Sequence, residues 1–155
     1  MSGGRELTAL VDEVFRLADA LSAAGDTLVA AEQLTSARWL TLGAVAHTPL
    51  SVAGIARRRG MRRQSAAESV AALERAGLLR REPNPEDARA PLVHLTAEGR
   101  ATLERIRPLR RAWADETARV SSAEELTETT QVLRRIRERL AAVGSASDEG
   151  RSSSN

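Results

Sequence analysis

The sequence predicts a mainly α-helical fold that carries one small β-wing. Apolar residues recur at helical spacing along most of the chain, which indicates amphipathic helices. Two short strand-like runs, at residues 78–82 and 92–95, flank a proline-containing loop and follow a pair of short helices joined at Gly60. Only 2% of the 155 residues are aromatic, so Leu, Val, Ile and Ala must build most of the core.

The N-terminal segment, residues 1–34, predicts one amphipathic helix followed by a connection. Apolar residues keep helical spacing from about residue 5 to residue 24. Residues 25–33 are either a break or a short continuation of this helix. Thr35 is placed to cap a second helix, which we expect to end at about His47.

Residues 51–76 predict two short helices joined by a glycine turn. Ser51 can cap the first helix, and Gly60 can take the left-handed conformation that ends it. The second helix has an apolar stripe at every third or fourth residue from Ala66 to Leu73, which completes a helix-turn-helix pattern. Arginines near the turn face either a DNA backbone or only solvent, and this stretch alone leaves both interpretations equally open. They are Arg57, Arg58, Arg59, Arg62 and Arg63.

A strand, a polar loop and a second strand follow the helix-turn-helix. Gly77 closes the second helix, residues 78–82 are strand-like, and residues 83–85 (Pro-Asn-Pro) forbid regular structure. Residues 92–95 form the second strand, and Thr96 is placed to cap the next helix. Two strands with an arginine-tipped loop after a helix-turn-helix make a winged helix-turn-helix.

The run from Leu34 to Gly99 resembles the MarR family of bacterial transcription regulators. The matching pieces are LTSARW at residues 34–39, the Arg63-Gln64 pair, LERAGLLRREPNPEDARA at residues 73–90 and LTAEG at residues 95–99. The resemblance implies a winged helix-turn-helix with N- and C-terminal dimerisation helices. It also implies a homodimer that binds a pseudo-palindromic operator in double-stranded DNA and is usually released by a small molecule.

The C-terminal part predicts two helices and a tail. Pro108 lies inside the helix that follows Thr96 and is expected to kink or divide it. Ser122 and Glu125 fit a capping box for the last helix. The predicted organisation is an N-terminal dimerisation helix and connection at residues 1–34, a DNA-binding domain at residues 35–99, C-terminal dimerisation helices at residues 100–143 and a disordered tail at residues 144–155.

The apolar stripes of the two terminal helices need a surface to cover them. They can cover one another within one chain, as an intramolecular bundle, or they can pack against a second copy. Because helices at opposite chain ends meet across a twofold axis in the resembled family, we expect a homodimer.

Positive charge is concentrated in the middle of the chain. Residues 51–111 carry 14 arginines and 7 acidic residues. In contrast, residues 1–50 carry 3 arginines and 6 acidic residues, and residues 112–155 carry 6 arginines and 8 acidic residues. A basic winged helix with more acidic flanks is the electrostatic pattern of a phosphate-binding surface. The charge distribution therefore favours double-stranded DNA as the partner.

Several classes of protein are not expected. The absence of cysteine excludes disulfides, thiolate metal sites and thiol-based redox sensing. Two isolated histidines predict no metal site, and no cofactor motif or catalytic cluster predicts an enzyme. No apolar run approaches the roughly 20 residues that span a bilayer, so we expect a cytoplasmic protein without a membrane partner. A nonspecific DNA-binding architectural protein and a winged-helix protein-interaction module are the alternative functions.

The start of the second helix of the helix-turn-helix is the predicted base-reading end. Gln64 can pair with adenine through both its donor and its acceptor, and Ser65 lies beside it. Glu68 either accepts a hydrogen bond from a cytosine amino group or only repels phosphate in wrong registers. In the resembled family the position of Arg62 more often holds a small capping residue and that of Glu68 is often basic. The predicted DNA-binding residues are Arg62, Arg63, Gln64, Ser65, Glu68, Ser69, Asp87 and Arg89.

The loop between the strands resembles the Asp-x-Arg wing tip of the family. Arg89 suits a narrow minor groove, where the negative potential is enhanced. Asp87 either contributes to DNA binding or forms the turn. Ala88 occupies a position that is often arginine in relatives, so one contact per subunit is expected to be missing.

The resemblance also implies a cleft for a small effector between the dimerisation helices and the winged helix. Arg38, Trp39 and His47 are the predicted ligand-binding residues. Arg38 could pair with an anionic aromatic compound. For Trp39, packing in the core is the stronger interpretation, since an apolar residue at helical spacing is usually part of the core.

Overall fold

The computed structural model describes the backbone of residues 3–152 and the side chains of residues 3–144. The chain divides into two units, Met1–Arg110 and Arg111–Asn155. Helix α1 spans Gly4–Val29 and is extended by a 3-10 turn at Ala30–Glu32; the elements that follow are α2 (Ser36–Ala44), α3 (Val52–Arg59), α4 (Arg63–Arg75), β1 (Leu79–Glu82), β2 (Leu92–Leu95), α5 (Ala97–Thr117) and, after a second 3-10 turn, α6 (Ala123–Ser152).

The core of the first unit lies beneath the helix-turn-helix. The apolar faces of α2, α3 and α4 meet there with Val93 of β2 and Ile106 of α5, both of which are almost fully buried. The wing is a two-stranded antiparallel sheet in which Leu79 pairs with Leu95 and Glu82 with Leu92. Leu50, before α3, forms an isolated bridge with Val93 and so ties the wing to the helix-turn-helix.

The predicted caps and turns are confirmed. The hydroxyls of Thr35, Ser51 and Thr96 accept hydrogen bonds from the amides of Arg38, Gly54 and Gly99, and so begin three helices. Gly60 and Gly77 have φ values of 63° and 75°, which lie in the left-handed region that ends helices at glycine. In the second unit, Ser122 and Glu125 exchange the two hydrogen bonds of a capping box at distances of 2.9 and 3.2 Å.

The helix ends differ from the sequence-based expectation. For α1 the sequence left a break or a short continuation open after residue 24, and the structure has the continuation: the helix runs to Val29, and Gly25 packs closely on Ser36. Helix α2 ends at Ala44 instead of about His47; Ala44 is the last residue before the chain turns toward Pro49.

The C-terminal helices are also longer than expected. Helix α5 continues through Pro108 without a division, since Thr102 and Ile106 are buried on the preceding turns and hold it in place. Helix α6 runs past Gly144 to Ser152; an internal glycine costs a helix only about 1 kcal/mol, and no proline follows to stop it. Residues 153–155 of the predicted tail lie outside the described residues.

An arginine joins the end of the first segment to α5. The guanidinium of Arg105 donates to both carboxylate oxygens of Glu32, at 2.9–3.1 Å, and to Glu98 and Thr102. Hydrogen bonds to Glu32 and Glu98 raise the pKa of Arg105 above its usual range. These hydrogen bonds fix the position of α5 relative to the 3-10 turn that follows α1.

Candidate nucleic-acid interface

The N-terminal end of α4 presents polar side chains to solvent. Arg62 has extended backbone angles, and its side chain makes no capping hydrogen bond to the start of α4. Arg62, Arg63, Gln64 and Ser65 are all exposed. Uncapped amides at a helix start keep the positive end of the helix dipole available to a phosphate.

Ser69 departs from the sequence-based expectation. It is only 7% exposed and lies on the same stripe of α4 as the buried Ala66, Val70 and Leu73. Positions 66, 69, 70 and 73 recur at helical spacing, so they point into the core together. We therefore correct the prediction that Ser69 belongs to the DNA-facing surface.

Gln64, a predicted base reader, contacts Glu68 one turn further along α4. The side-chain amide of Gln64 donates to a carboxylate oxygen of Glu68 at 3.2 Å, and both residues are exposed. This contact fixes the direction of the Gln64 side chain and leaves its carbonyl oxygen available as an acceptor. Pairing between residues i and i+4 was not foreseen, although the spacing permits it.

The five arginines near the turn fall into two groups. Arg58 donates to the carbonyl oxygen of Ala44 at 3.0 Å and so caps the end of α2. Arg59 lines a cleft beside α5, where burial and the nearby charges of Arg58 and Arg110 lower its pKa. All five side chains are exposed, but Arg57, Arg62 and Arg63 do not line this cleft. Sequence reasoning missed this division, because the last turn of a helix directs consecutive side chains to different surfaces.

The wing tip is held by hydrogen bonds within the loop. Asp87 accepts from the amide of Arg89 at 3.0 Å, which supports its turn-forming role. Asn84 donates to the carbonyl oxygen of Ala90 at 3.0 Å and accepts from the amide of Glu86 at 3.1 Å. Asn84 was not singled out from the sequence as a residue that shapes the site, although an asparagine between two prolines is a turn signal. The resulting loop leaves Arg89 exposed.

The strands that support the wing tip carry further ion pairs. The guanidinium of Arg81 pairs with Glu74 of α4 at 3.0 Å, which joins the wing to the second helix of the helix-turn-helix. Glu82 pairs with Arg80 and with His94, whose Nε2 lies 3.2 Å from the carboxylate. Burial and the charge of Arg80 lower the pKa of His94.

A cleft of about 510 Å³ lies in the first unit, lined by residues of α2, α3 and α5 and by the turn after α2. It includes two of the three residues predicted to bind a ligand, Trp39 and His47, but Arg38 is not among its lining residues. The basic residues of the cleft are instead supplied by α3 and α5. Among the described residues, no group of three or more potential metal ligands occurs.

The fold and this surface define a winged helix-turn-helix DNA-binding protein. Its second helix exposes arginine, glutamine and serine at the start, and its wing exposes an arginine at the tip. None of the described helices is both long enough and apolar enough to cross a membrane.

Known proteins of the MarR family are similar to this chain in sequence and in fold. The model of the MarR family matches residues 32–90. A MarR family transcriptional regulator from Streptomyces coelicolor is 26% identical with a TM-score of 0.75, over 90% of this chain and 98% of that one. The PcaV transcriptional regulator from the same organism, solved with its natural ligand, is 29% identical with a TM-score of 0.67. The match covers 79% of this chain and 89% of that one. The BldR regulator from Sulfolobus solfataricus, 24% identical with a TM-score of 0.77 over 87% and 99%, supports the fold. The family-model match and the shared fold support a MarR-family winged-helix regulator.

Curated relatives carry no assigned function. Uncharacterized proteins from Mycobacterium tuberculosis and Mycobacterium bovis are 38% identical over 95 residues. The match spans 61% of this chain and 66% of each relative. These relatives leave the activity of the whole protein to be proposed.

Proposed function

We propose that this chain is a cytoplasmic transcription regulator, acting as a repressor, that binds a pseudo-palindromic operator as a homodimer and is released by a small-molecule effector. The observation that carries the proposal is the exposed start of α4 together with the exposed Arg89 of the wing, on one winged helix. The helix end suits the major groove and the wing suits the adjacent minor groove. Arg57, Arg62 and Arg63 are available to the phosphates on either side.

The dimer is supported by apolar side chains that the single chain leaves exposed. On α1 these are Leu7, Val11, Val14, Phe15, Leu17 and Leu21, and on α6 they are Leu126, Val132, Leu133, Leu140 and Val143. Each helix has several at helical spacing, so each presents an apolar face. Large exposed apolar faces mark association surfaces.

Replacing Leu133 with glutamate is expected to raise the dimer dissociation constant at least tenfold, because a charge would be buried in an apolar interface. Sedimentation velocity over a concentration series measures the dissociation constant. Gln131→Glu adds the same charge on the opposite face of α6 and should leave the dimer intact. A monomeric wild-type chain at micromolar concentration, or equal behaviour of the two variants, would remove the dimer from the proposal.

The contact between Gln64 and Glu68 supports a defined sequence preference. Together the two side chains present mainly acceptor oxygens, which suit the amino groups of adenine and cytosine in the major groove. We expect Glu68→Ala to change operator affinity by three- to tenfold and to relax the preference at one base pair per half-site, because Gln64 would no longer be held. Binding to a set of single-base operator variants measures this. An unchanged preference profile would show that Glu68 has no part in base reading.

The proposed regulator differs measurably from the alternatives. A sequence-specific regulator should prefer its operator over random DNA by roughly 10³-fold or more. A nonspecific architectural protein should show no such preference, and its affinity should fall by about 0.9 log units per phosphate contacted for each log unit of salt. A protein-interaction module should bind neither operator DNA nor random DNA. Competition binding with operator and random duplexes at several salt concentrations separates the three.

A further inference from the structure

The C-terminal end of α1 and the 3-10 turn after it are attached to the rest of the first unit at two separate points. Oδ1 of Asp26 accepts a hydrogen bond at 2.6 Å from the amide of Ser36, the first residue of α2. Gly25 lies against the same serine, since a Cβ atom added there would be 2.6 Å from the serine hydroxyl oxygen. Further along the chain, Glu32 accepts hydrogen bonds from Arg105 of α5. Attachment at one point would leave α1 free to rotate, whereas attachment to two different helices restricts its direction.

Arg105 is held in place by contacts within its own helix. Its Nε and Nη2 donate to the two carboxylate oxygens of Glu32 at 2.9–3.1 Å, which is the bidentate geometry that arginine favours. Nη2 also donates to Glu98 and to the hydroxyl of Thr102, both at 3.1 Å. Thr102 is only 2% exposed, and its hydroxyl donates to the carbonyl oxygen of Glu98. The contacts on α5 therefore direct the guanidinium toward Glu32.

The segment that connects α1 to α2 has an unusual backbone conformation. Gln33 has a φ of 57°, and among the described residues no other residue except glycine has a positive φ. A residue with a Cβ atom keeps this conformation only where its surroundings hold it. Glu32 precedes Gln33 and carries the ion pair with Arg105, and the buried Leu34 follows it. The ion pair is therefore one of the contacts that hold the connection in its conformation.

We propose that Arg105 is a positioning residue: through Glu32 it fixes the direction of α1 relative to the winged helix and so sets the distance between the two α4 helices of the dimer. The exposed apolar face of α1 packs against the second copy in the proposed dimer. Any change in the direction of α1 relative to the winged helix therefore changes the distance between the two α4 helices. The consequence for DNA rests on the proposed function, whereas the attachment of α1 does not.

A small change in the direction of α1 is large on the scale of DNA. Helix α1 has 26 residues and is therefore about 39 Å long, at a rise of 1.5 Å per residue. A tilt of about 5° displaces the far end of such a helix by about 3.4 Å, which is the rise of one base pair. The half-sites of a symmetric dimer must match the separation of its base-reading helices. A looser attachment should therefore let the dimer accept half-sites that are one base pair closer together or farther apart.

Pulsed electron paramagnetic resonance of spin-labelled chains measures the attachment without DNA. Because the sequence contains no cysteine, Asp19→Cys on α1 and Arg75→Cys at the end of α4 supply two unique labelling sites, and both positions are exposed. Dilution into excess unlabelled chain restricts the measured distance to labels on one chain. Arg105→Met should at least double the width of the distance distribution, because α1 loses its attachment to α5. An unchanged width would overturn the proposal.

Three further variants distinguish positioning from a general effect of lost charge. Arg107→Met removes the same charge from α5, but Arg107 pairs at 2.6 Å with Glu104 of its own helix, so the width should not change. Glu32→Gln should broaden the distribution as Arg105→Met does, and it keeps the test valid if Arg105→Met folds poorly. Arg105→Lys keeps the charge without the planar fork and should recover part of the wild-type width. Equal broadening by Arg107→Met would overturn the proposal.

Thermal unfolding shows whether the variants remain folded. Exposed ion pairs contribute little to stability, so the Tm of Arg105→Met and of Glu32→Gln should stay close to that of the wild type. A broadened distance distribution at an unchanged Tm is the result expected of a positioning residue. Broadening that occurs only together with a large fall in Tm would show a general structural role instead and would overturn the proposal.

Operators with altered half-site separation test the consequence for DNA. The wild type should bind the best separation at least tenfold more tightly than separations one base pair shorter or longer. Arg105→Met and Glu32→Gln should reduce this ratio to less than threefold, while the preference for the half-site sequence stays unchanged. A wild-type ratio in both variants would overturn the role of Arg105 in setting the distance between the α4 helices.

The two measurements separate this inference from the proposed function. If the distance distribution broadens as expected but the wild type prefers no operator over random DNA, the attachment through Arg105 stands and the proposed function fails. If the wild type binds an operator specifically and the variants match it in both width and separation ratio, the inference alone fails.

Discussion

Replacing Arg89 with alanine is expected to weaken operator binding more than tenfold per half-site while the fold stays intact. Arg89 is exposed at the wing tip, and only its backbone amide contributes to the turn, through the hydrogen bond to Asp87. Loss of an arginine contact to DNA typically costs about 1–3 kcal/mol. Because a symmetric dimer would lose the contact twice, the effect on a full operator should approach a hundredfold.

A control variant and a thermal unfolding measurement distinguish loss of a DNA contact from loss of folding. Arg119→Ala removes the same charge from an exposed position after α5, where Arg119 pairs with Glu116 at 2.8 Å. It should bind the operator like the wild type. Thermal unfolding of both variants should match the wild type, since neither side chain is buried. An unchanged binding isotherm for Arg89→Ala would show that the wing does not contact DNA.

The second large effect is expected at Gly99, where α5 meets the start of the wing. A Cβ atom at this position would collide with the carbonyl oxygen of Leu78, which accepts a hydrogen bond from the amide of Thr96. The obstacle is backbone, which cannot move aside as a flexible side chain can. We expect Gly99→Ala to lower the free energy of unfolding by about 3 kcal/mol, the upper end of the usual cost of overpacking.

Thermal unfolding measures this effect directly. A loss of about 3 kcal/mol should lower the Tm by roughly 6–12 °C in a protein of this size. Gly144→Ala is the matched control, because nothing lies within 4 Å of its added Cβ atom. Alanine within a helix should leave stability unchanged or raise it slightly. Equal Tm values for the two variants would show that the backbone of Leu78 accommodates a Cβ atom at residue 99 without loss of stability.

Local signals predicted the winged helix well. The caps at Ser51, Thr35 and Thr96 and the left-handed Gly60 depend on chemistry within a few residues, so the sequence alone locates them. Helix ends without such signals were placed less well. Helix α5 passes through Pro108 because packing of distant residues holds it, and no local pattern records that packing.

The candidate site was predicted only in part. Exposed positions at the start of α4 follow from helical periodicity, but Ser69 was assigned to the surface although the same periodicity places it beside Val70 in the core. The division between Arg58 and Arg59 depends on where α2 and α5 lie, which the local sequence does not specify. For the same reason the basic lining of the cleft comes from α3 and α5, and Arg38 has no place in it.

We propose that this winged helix reads a specific DNA sequence as a dimer. Fluorescence anisotropy measures this binding with a labelled duplex from the DNA upstream of its own gene, at near-physiological salt with excess random competitor. We expect tight binding that survives the competitor, with two subunits per site. Binding that the competitor abolishes at that duplex and at every other fragment of the genome would contradict it.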